Sequence, residues 1–287
     1  MASDALVVDV SDDWIIASDV QQRFMHGLET GLDTLDYSAG CRQLRALGGD
    51  CFDFVTLGAN RLALAIGDAS GKGLAAALMI ANVQSSLRTA ALLAGSDGAS
   101  VLGAVNRQVH ASSLANRYAT MFYGVVDAAE HTLRYVNAGH NPPMVIRPDG
   151  SILWLEAGGA PIGMFPGWTY REGMVQVHPG DLLLAYTDGV IEAVNAAGEE
   201  WGIEASGRRR WITWRMTRRG SCGRFSPKWM HFRSGARWTT RQFWPCASGD
   251  RYAKNGIPQI AFPTGRKSLG QLGVISQKFC VSGAVYY

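Results

Sequence analysis

Long apolar runs are missing from this chain. The best, Leu74–Val83, stops at Gln84 and two serines. That is far short of the roughly 18 residues a membrane-spanning helix needs. The opening Met1-Ala-Ser-Asp lacks the basic-then-apolar pattern of a secretory leader. Cysteine is scarce: five, an odd number, at positions 41, 51, 222, 246 and 280. That spacing offers neither a disulfide framework nor a zinc site. A reducing cytoplasm is the expected compartment, with no membrane partner. Net charge is also small, +3 over 287 residues, while 47% of residues are hydrophobic and 18% charged. A wholly disordered chain would need the opposite balance.

Acid is nearly absent from the last part of the chain. Residues 207–287 hold 16 Lys+Arg and one acid, Asp250, a net of +15. Residues 1–206 hold 11 basic and 23 acidic residues, a net of −12. The tail also carries five of the nine tryptophans. Such a break places a boundary near residue 206. The expected organisation is an N-terminal helix over 1–30, a domain over 31–206, and a basic Arg/Trp-rich tail over 207–287.

Residues 11–29 read as a helix, with Ser11, Asp12 and Asp13 as capping candidates and Trp14, Ile15, Ile16, Val20, Phe24 and Leu28 near helical spacing. Cys51–Leu57 and Arg61–Gly67 flank Gly58-Ala59-Asn60 and read as a β-hairpin. Helices are expected over about 73–93 and 98–115, with Ser70 as a cap of the first. Strands follow at Ala119–Asp127, Thr132–Asn137, Pro143–Arg147, Ile152–Leu155, Tyr170–Val177 and Asp181–Tyr186. Helices packed on a meandering, mostly antiparallel sheet fit this order better than alternating βαβ units.

The chemistry concentrates in acids that adjoin glycine. Asp50 lies nine residues before Ala59 and Asp68 nine after it. Residues equidistant from a hairpin turn face each other, so the two carboxylates should lie directly opposite. Like charges so placed destabilise the sheet unless a cation sits between them. Mg²⁺ or Mn²⁺, with their preference for oxygen ligands, suit the place. Solvated turn residues are the plainer reading. A third acid repeats the pattern: the apolar strand Asp181–Tyr186 ends in Thr187-Asp188-Gly189. Three such acids suit a two-metal phosphoryl-transfer site. Gly67–Gly73 is not a P-loop, since three residues separate Gly67 from Gly71 and glycine follows Lys72. His140, in the turn Asn137-Ala-Gly-His, is either a structural hydrogen-bonder or an acid–base group.

Taken in order, these motifs resemble the metal-dependent serine/threonine protein phosphatases of the type 2C-like class. They are Gly48-Gly49-Asp50-Cys-Phe-Asp53, Gly67-Asp68-Ala-Ser-Gly-Lys72-Gly73, Asn137-Ala-Gly-His140 and Thr187-Asp188-Gly189. The bacterial branch that regulates sporulation and stress sigma factors is the most similar, over about residues 15–205. The resemblance implies an α+β fold: two stacked antiparallel β-sheets flanked by helices. It implies two Mn²⁺ or Mg²⁺ ions that activate a water for in-line attack on phosphoserine or phosphothreonine. Asp50 would bridge the ions. Asp68 and the carbonyl of Ala69 would complete one site, and Asp188 would serve the other. Lys72 and His140 lie on loops that would surround the substrate phosphate. A phosphorylated anti-anti-sigma-type protein is the implied partner, and the N-terminal helix is available for homodimerisation.

One departure stands out. Such phosphatases close with a strand headed by an Asp-Asp pair whose acid binds metal. Asp250, in Ser-Gly-Asp-Arg-Tyr, lacks that setting. The sheet is therefore expected to be incomplete at its C-terminal end, with metal-dependent turnover impaired accordingly. Three readings of the tail follow. They are a changed reading frame near residue 206, a variable extension, and, least favoured, a nucleic-acid-binding segment of guanidinium and indole groups.

Overall fold

The computed structural model describes residues 10–25, 35–43, 46–192 and 270–277. A hairpin forms one edge of the first sheet. Strand β2 (Asp50–Thr56) pairs antiparallel with β3 (Arg61–Ala69), and Phe52 faces Ile66, Phe54 faces Leu64 and Thr56 faces Leu62. Gly58 turns the chain at a φ of 121°, a conformation that disfavours side chains.

Two further antiparallel ladders extend this sheet through β4 (Ala119–Asp127) and β5 (Thr132–Ala138). Beyond β5 lie the two-residue β8 (Gly158–Gly159), parallel to it, and β9 (Gly173–Gln176), antiparallel. The second sheet runs β1 (Leu35–Arg42), β11 (Gly270–Gln277), β10 (Leu182–Tyr186), β6 (Met144–Ile146) and β7 (Ile152–Trp154).

Alternation along the strands explains the layers. Phe52, Phe54, Leu62, Leu64, Ile66, Phe122 and Leu133 leave the first sheet on one face. They pack against Leu35, Val145, Leu183 and Ala185 of the second. The opposite face, with Cys51, Ala63, Ala65 and Met121, packs under two helices, α2 (Leu74–Ala94) and α3 (Gly98–Ser112). Helix α1 (Val10–Phe24) precedes them, and a single helical turn, α4 (Asp188–Ile191), follows β10. The expected α+β sandwich is thus the fold observed. Its pairing is mixed, because β11 runs parallel to both β1 and β10. The residues that lead into β11, Lys267-Ser268-Leu269, contain no acid pair. Residues 193–269 and 278–287 lie outside the described residues, so of the expected tail over 207–287 only β11 (Gly270–Gln277) is described.

Local chemistry fixes the helix ends. Gly73 precedes α2 at a φ of 71° and no side chain caps that helix. The sequence-based expectation that Ser70 caps this helix is therefore not met. The Ser70 hydroxyl accepts the Tyr118 N–H at 3.0 Å, drawn there by β4. Asp97 caps α3 by accepting the Ser100 N–H at 3.0 Å. Its carboxyl is held below the usual range by the Ser100 hydroxyl and N–H. Asp53, buried on β2, pairs with Arg88 of α2 through contacts of 2.5 and 3.0 Å, tying helix to sheet. Among the described residues no helix is long and apolar enough to cross a membrane.

Candidate active site

The hairpin register brings Asp50 and Asp68 directly opposite each other, as the spacing about Ala59 requires. Both continue the parity of Phe52 and Ile66, so they point toward the inter-sheet side, at one end of the sandwich. Asp50 is only 3% exposed. One oxygen of each of the two carboxylates is shielded from solvent. The β3–β4 ladder then sets Thr120 beside Asp68 and Ala119 beside Ala69.

The second sheet supplies the third acid. Leu183 and Ala185 of β10 face the core between the sheets. Thr187, two residues further, keeps that direction, and its hydroxyl donates to Asp50 Oδ2 at 3.0 Å. Asp188 follows at once and opens α4. Its Oδ1 is buried and accepts no hydrogen bond from the described residues.

Glycine makes the lead-in to Asp50 possible. A Cβ on Gly49 would lie 2.9 Å from both Asp68 Oδ1 and the Ala69 carbonyl oxygen. The Ala69 N–H donates to the Gly49 carbonyl at 2.9 Å, which closes this cradle. From α1, Gln21 holds Gly48 on both sides: its amide donates to the Gly48 carbonyl at 2.7 Å and accepts the Gly48 N–H at 3.1 Å. Past Asp68, Arg117 donates to the Ser70 carbonyl at 3.0 Å. Gly71, at a φ of 97°, leaves room for that guanidinium.

The oxygens collected here are hard donors, and opposed carboxylates with an orphaned third acid oxygen fit divalent cations. Among the described residues, no group of three or more His, Cys, Asp or Glu side chains is placed so as to hold a metal ion together. Asp50 and Asp68 meet across a ladder, whereas Asp188 joins them through its neighbour Thr187. Lys72 lies exposed in the loop before α2. His140 is buried, with both ring nitrogens hydrogen-bonded, to Thr120 Oγ1 at 2.9 Å and to the Tyr186 carbonyl at 3.1 Å. Burial pushes its pKa down to about 4, against the opposing pull of Asp50. Burial, and then the charges of Asp53 and Asp50, push the Cys51 thiol well up, so it is no thiolate nucleophile.

The sequence points to Thr187 only as part of the Thr187-Asp188-Gly189 motif, and gives Thr120, Gln21 and Arg117 no role in the site. The parity of β10 could have found Thr187, and the register of β4 could have found Thr120. Nothing in the sequence signals Gln21 or Arg117, whose partners are backbone groups far away in the chain.

A two-sheet sandwich with acids gathered at one end is the fold of the PP2C-type phosphatases. The PP2C domain of SiaA from Pseudomonas aeruginosa has it, superposing with a TM-score of 0.53 at 22% identity over 68% of this chain and 78% of that one. The profile of the stage II sporulation protein E (SpoIIE) family matches residues 58–211, more than half of the chain, and the chain belongs to that family. Asp68, His140 and Asp188 lie inside the match, and Asp50 just before it. Protein IcfG of Synechocystis is 29% identical over 209 residues, 64% of this chain and 33% of that protein. Phosphoserine phosphatase RsbU of Bacillus subtilis is 29% identical over 178 residues, 62% of this chain and 52% of that protein. The chain thus spans about a third to a half of the length of these relatives.

Proposed function

We propose that the chain is a metal-dependent protein phosphatase acting on phosphoserine or phosphothreonine. The observation that carries this reading is the facing pair Asp50 and Asp68, joined to Asp188 through the hydrogen bond of Thr187. The similarity to a protein named phosphoserine phosphatase supports it. Asp50, Asp68, the Ala69 carbonyl and Asp188 would hold two Mn²⁺ or Mg²⁺ ions. When bound, such ions make water nucleophilic at neutral pH and draw charge off a phosphoryl group.

The chain's own residues do the rest. Thr187 fixes one Asp50 oxygen by donating to it. The Gly49 cradle lets the Asp68–Ala69 backbone approach Asp50 closely. Lys72, exposed on the loop after Asp68, would help to orient a substrate phosphate. In the reaction the ester P–O bond to the serine or threonine oxygen breaks and a P–O bond to water forms. The products are inorganic phosphate and the free hydroxyl.

The substrate in this reading is a phosphorylated regulatory protein of the anti-anti-sigma type, and the setting is the cytoplasm. Homodimerisation would use α1, where Ile16, Val20 and Phe24 form an exposed apolar row at four-residue spacing. A second reading, a relative that binds its partner but turns over poorly, draws on the missing Asp-Asp pair ahead of β11. A Mn²⁺-titrated assay on a phosphorylated peptide or p-nitrophenyl phosphate separates the two. Turnover that requires Mn²⁺ and is lost in Asp50→Asn and Asp188→Asn is expected. Folded protein with no metal-dependent turnover would leave only the second.

A further inference from the structure

We infer that His140 is a positioning residue that ties the two sheets together behind the acids and holds Asp68 and Asp188 at a fixed gap. This rests on the metal-site reading above.

The hydrogen bonds settle the tautomer. The Tyr186 carbonyl can only accept, so Nε2 of His140 carries the hydrogen. Nδ1 is then the acceptor, and the Thr120 hydroxyl donates to it at 2.9 Å. Thr120 belongs to the first sheet and pairs with Asp68 on the β3–β4 ladder. Tyr186 belongs to the second sheet, next to Thr187 and two residues before Asp188. One imidazole therefore bridges the strand ends that carry the acids. A ring with both nitrogens so occupied has none left for a substrate phosphate.

The loop behind it holds the ring in place. The His140 N–H donates to Asn137 Oδ1 at 2.7 Å, and Asn137 Nδ2 donates to the Leu155 carbonyl at 3.3 Å. Gly139, at a φ of 69°, packs against Pro161, which a Cβ would approach to 2.8 Å. The neutral form is the one this geometry needs. Burial favours it.

The test uses the full chain and three readouts: Mn²⁺ affinity by calorimetry, the melting temperature without metal, and KM and kcat on p-nitrophenyl phosphate at saturating Mn²⁺. His140→Ala and Thr120→Val should each weaken Mn²⁺ binding by about 10- to 100-fold, the range for residues that orient metal ligands. KM at saturating Mn²⁺ should stay near wild type. Thr120→Ser, which keeps the hydroxyl, should restore the affinity. The double variant should bind Mn²⁺ no worse than the weaker single one, since both break one connection. A raised KM with intact Mn²⁺ affinity would make His140 a substrate ligand and overturn the inference. A lowered melting temperature with intact Mn²⁺ affinity would make it a core histidine only and overturn it too. If His140→Ala does not fold, the two Thr120 variants decide alone. Wild-type protein that binds no Mn²⁺ would overturn the metal-site reading itself, and this inference with it.

Discussion

At the scale of single residues, the site is a set of oxygens oriented by neighbours that are not acids. Thr187 is the clearest case, fully buried with its hydroxyl on Asp50. Thr187→Val keeps the shape and removes the donor. It should lower Mn²⁺ affinity or turnover by about 10- to 100-fold, while Thr187→Ser should stay near wild type. Metal-dependent kinetics on both variants check this. Asp50 and Asp68 were legible from sequence because hairpin pairing depends only on separation from the turn. The role of Thr187 was not, since its partner sits 137 positions away on the other sheet. Only three-dimensional packing brings the two together. His140 was seen as a candidate, but its spacing in the chain could not reveal that both nitrogens are occupied.

At the scale of elements, the ties between helices and the hairpin set the site's rigidity. Arg88 on α2 satisfies the buried carboxylate of Asp53, three residues along β2 from Asp50. Arg88→Ala would leave that acid buried without its charged donor. The Phe54 N–H still donates to Asp53 Oδ1 at 2.8 Å, so we expect a loss of about 1.5–3 kcal/mol in chemical denaturation, the usual worth of a hydrogen bond to a charged group. The Gln21 clip on Gly48 acts similarly from α1. Gln21→Ala should change global stability little, yet speed hydrogen exchange at Gly48, because the bond it removes holds a single turn. Hairpin, helices and most strands were readable from periodicity and turn residues. The elements missed were those without their own pattern. Gly158–Gly159 pairs only because Asn137–Ala138 offers an edge, and Gly270–Gln277 is held between β1 and β10.

At the scale of the whole molecule, a buried neutral histidine between two sheets couples stability to pH. The pKa of His140 falls from an ordinary 6.5 to about 4 on folding. The unfolded chain therefore takes up a proton first as pH drops. Stability from the neutral ring is fully present above 6.5 and is lost as pH falls toward 4. Metal-free protein should melt at progressively lower temperature across that window, and the slope should shrink in His140→Gln. The charge contrast along the chain, −12 before residue 207 and +15 after, places the described site residues in the acidic part. That sign suits cation binding.

The central claim is that Asp50, Asp68 and Asp188 jointly hold divalent metal. Calorimetric titration of Mn²⁺ into the metal-free full chain tests it most directly. We expect saturable binding of two ions by the wild type, with affinity collapsing in Asp50→Asn and one ion lost in Asp188→Asn. Equal binding by the wild type and Asp50→Asn, in folded protein, would contradict the account.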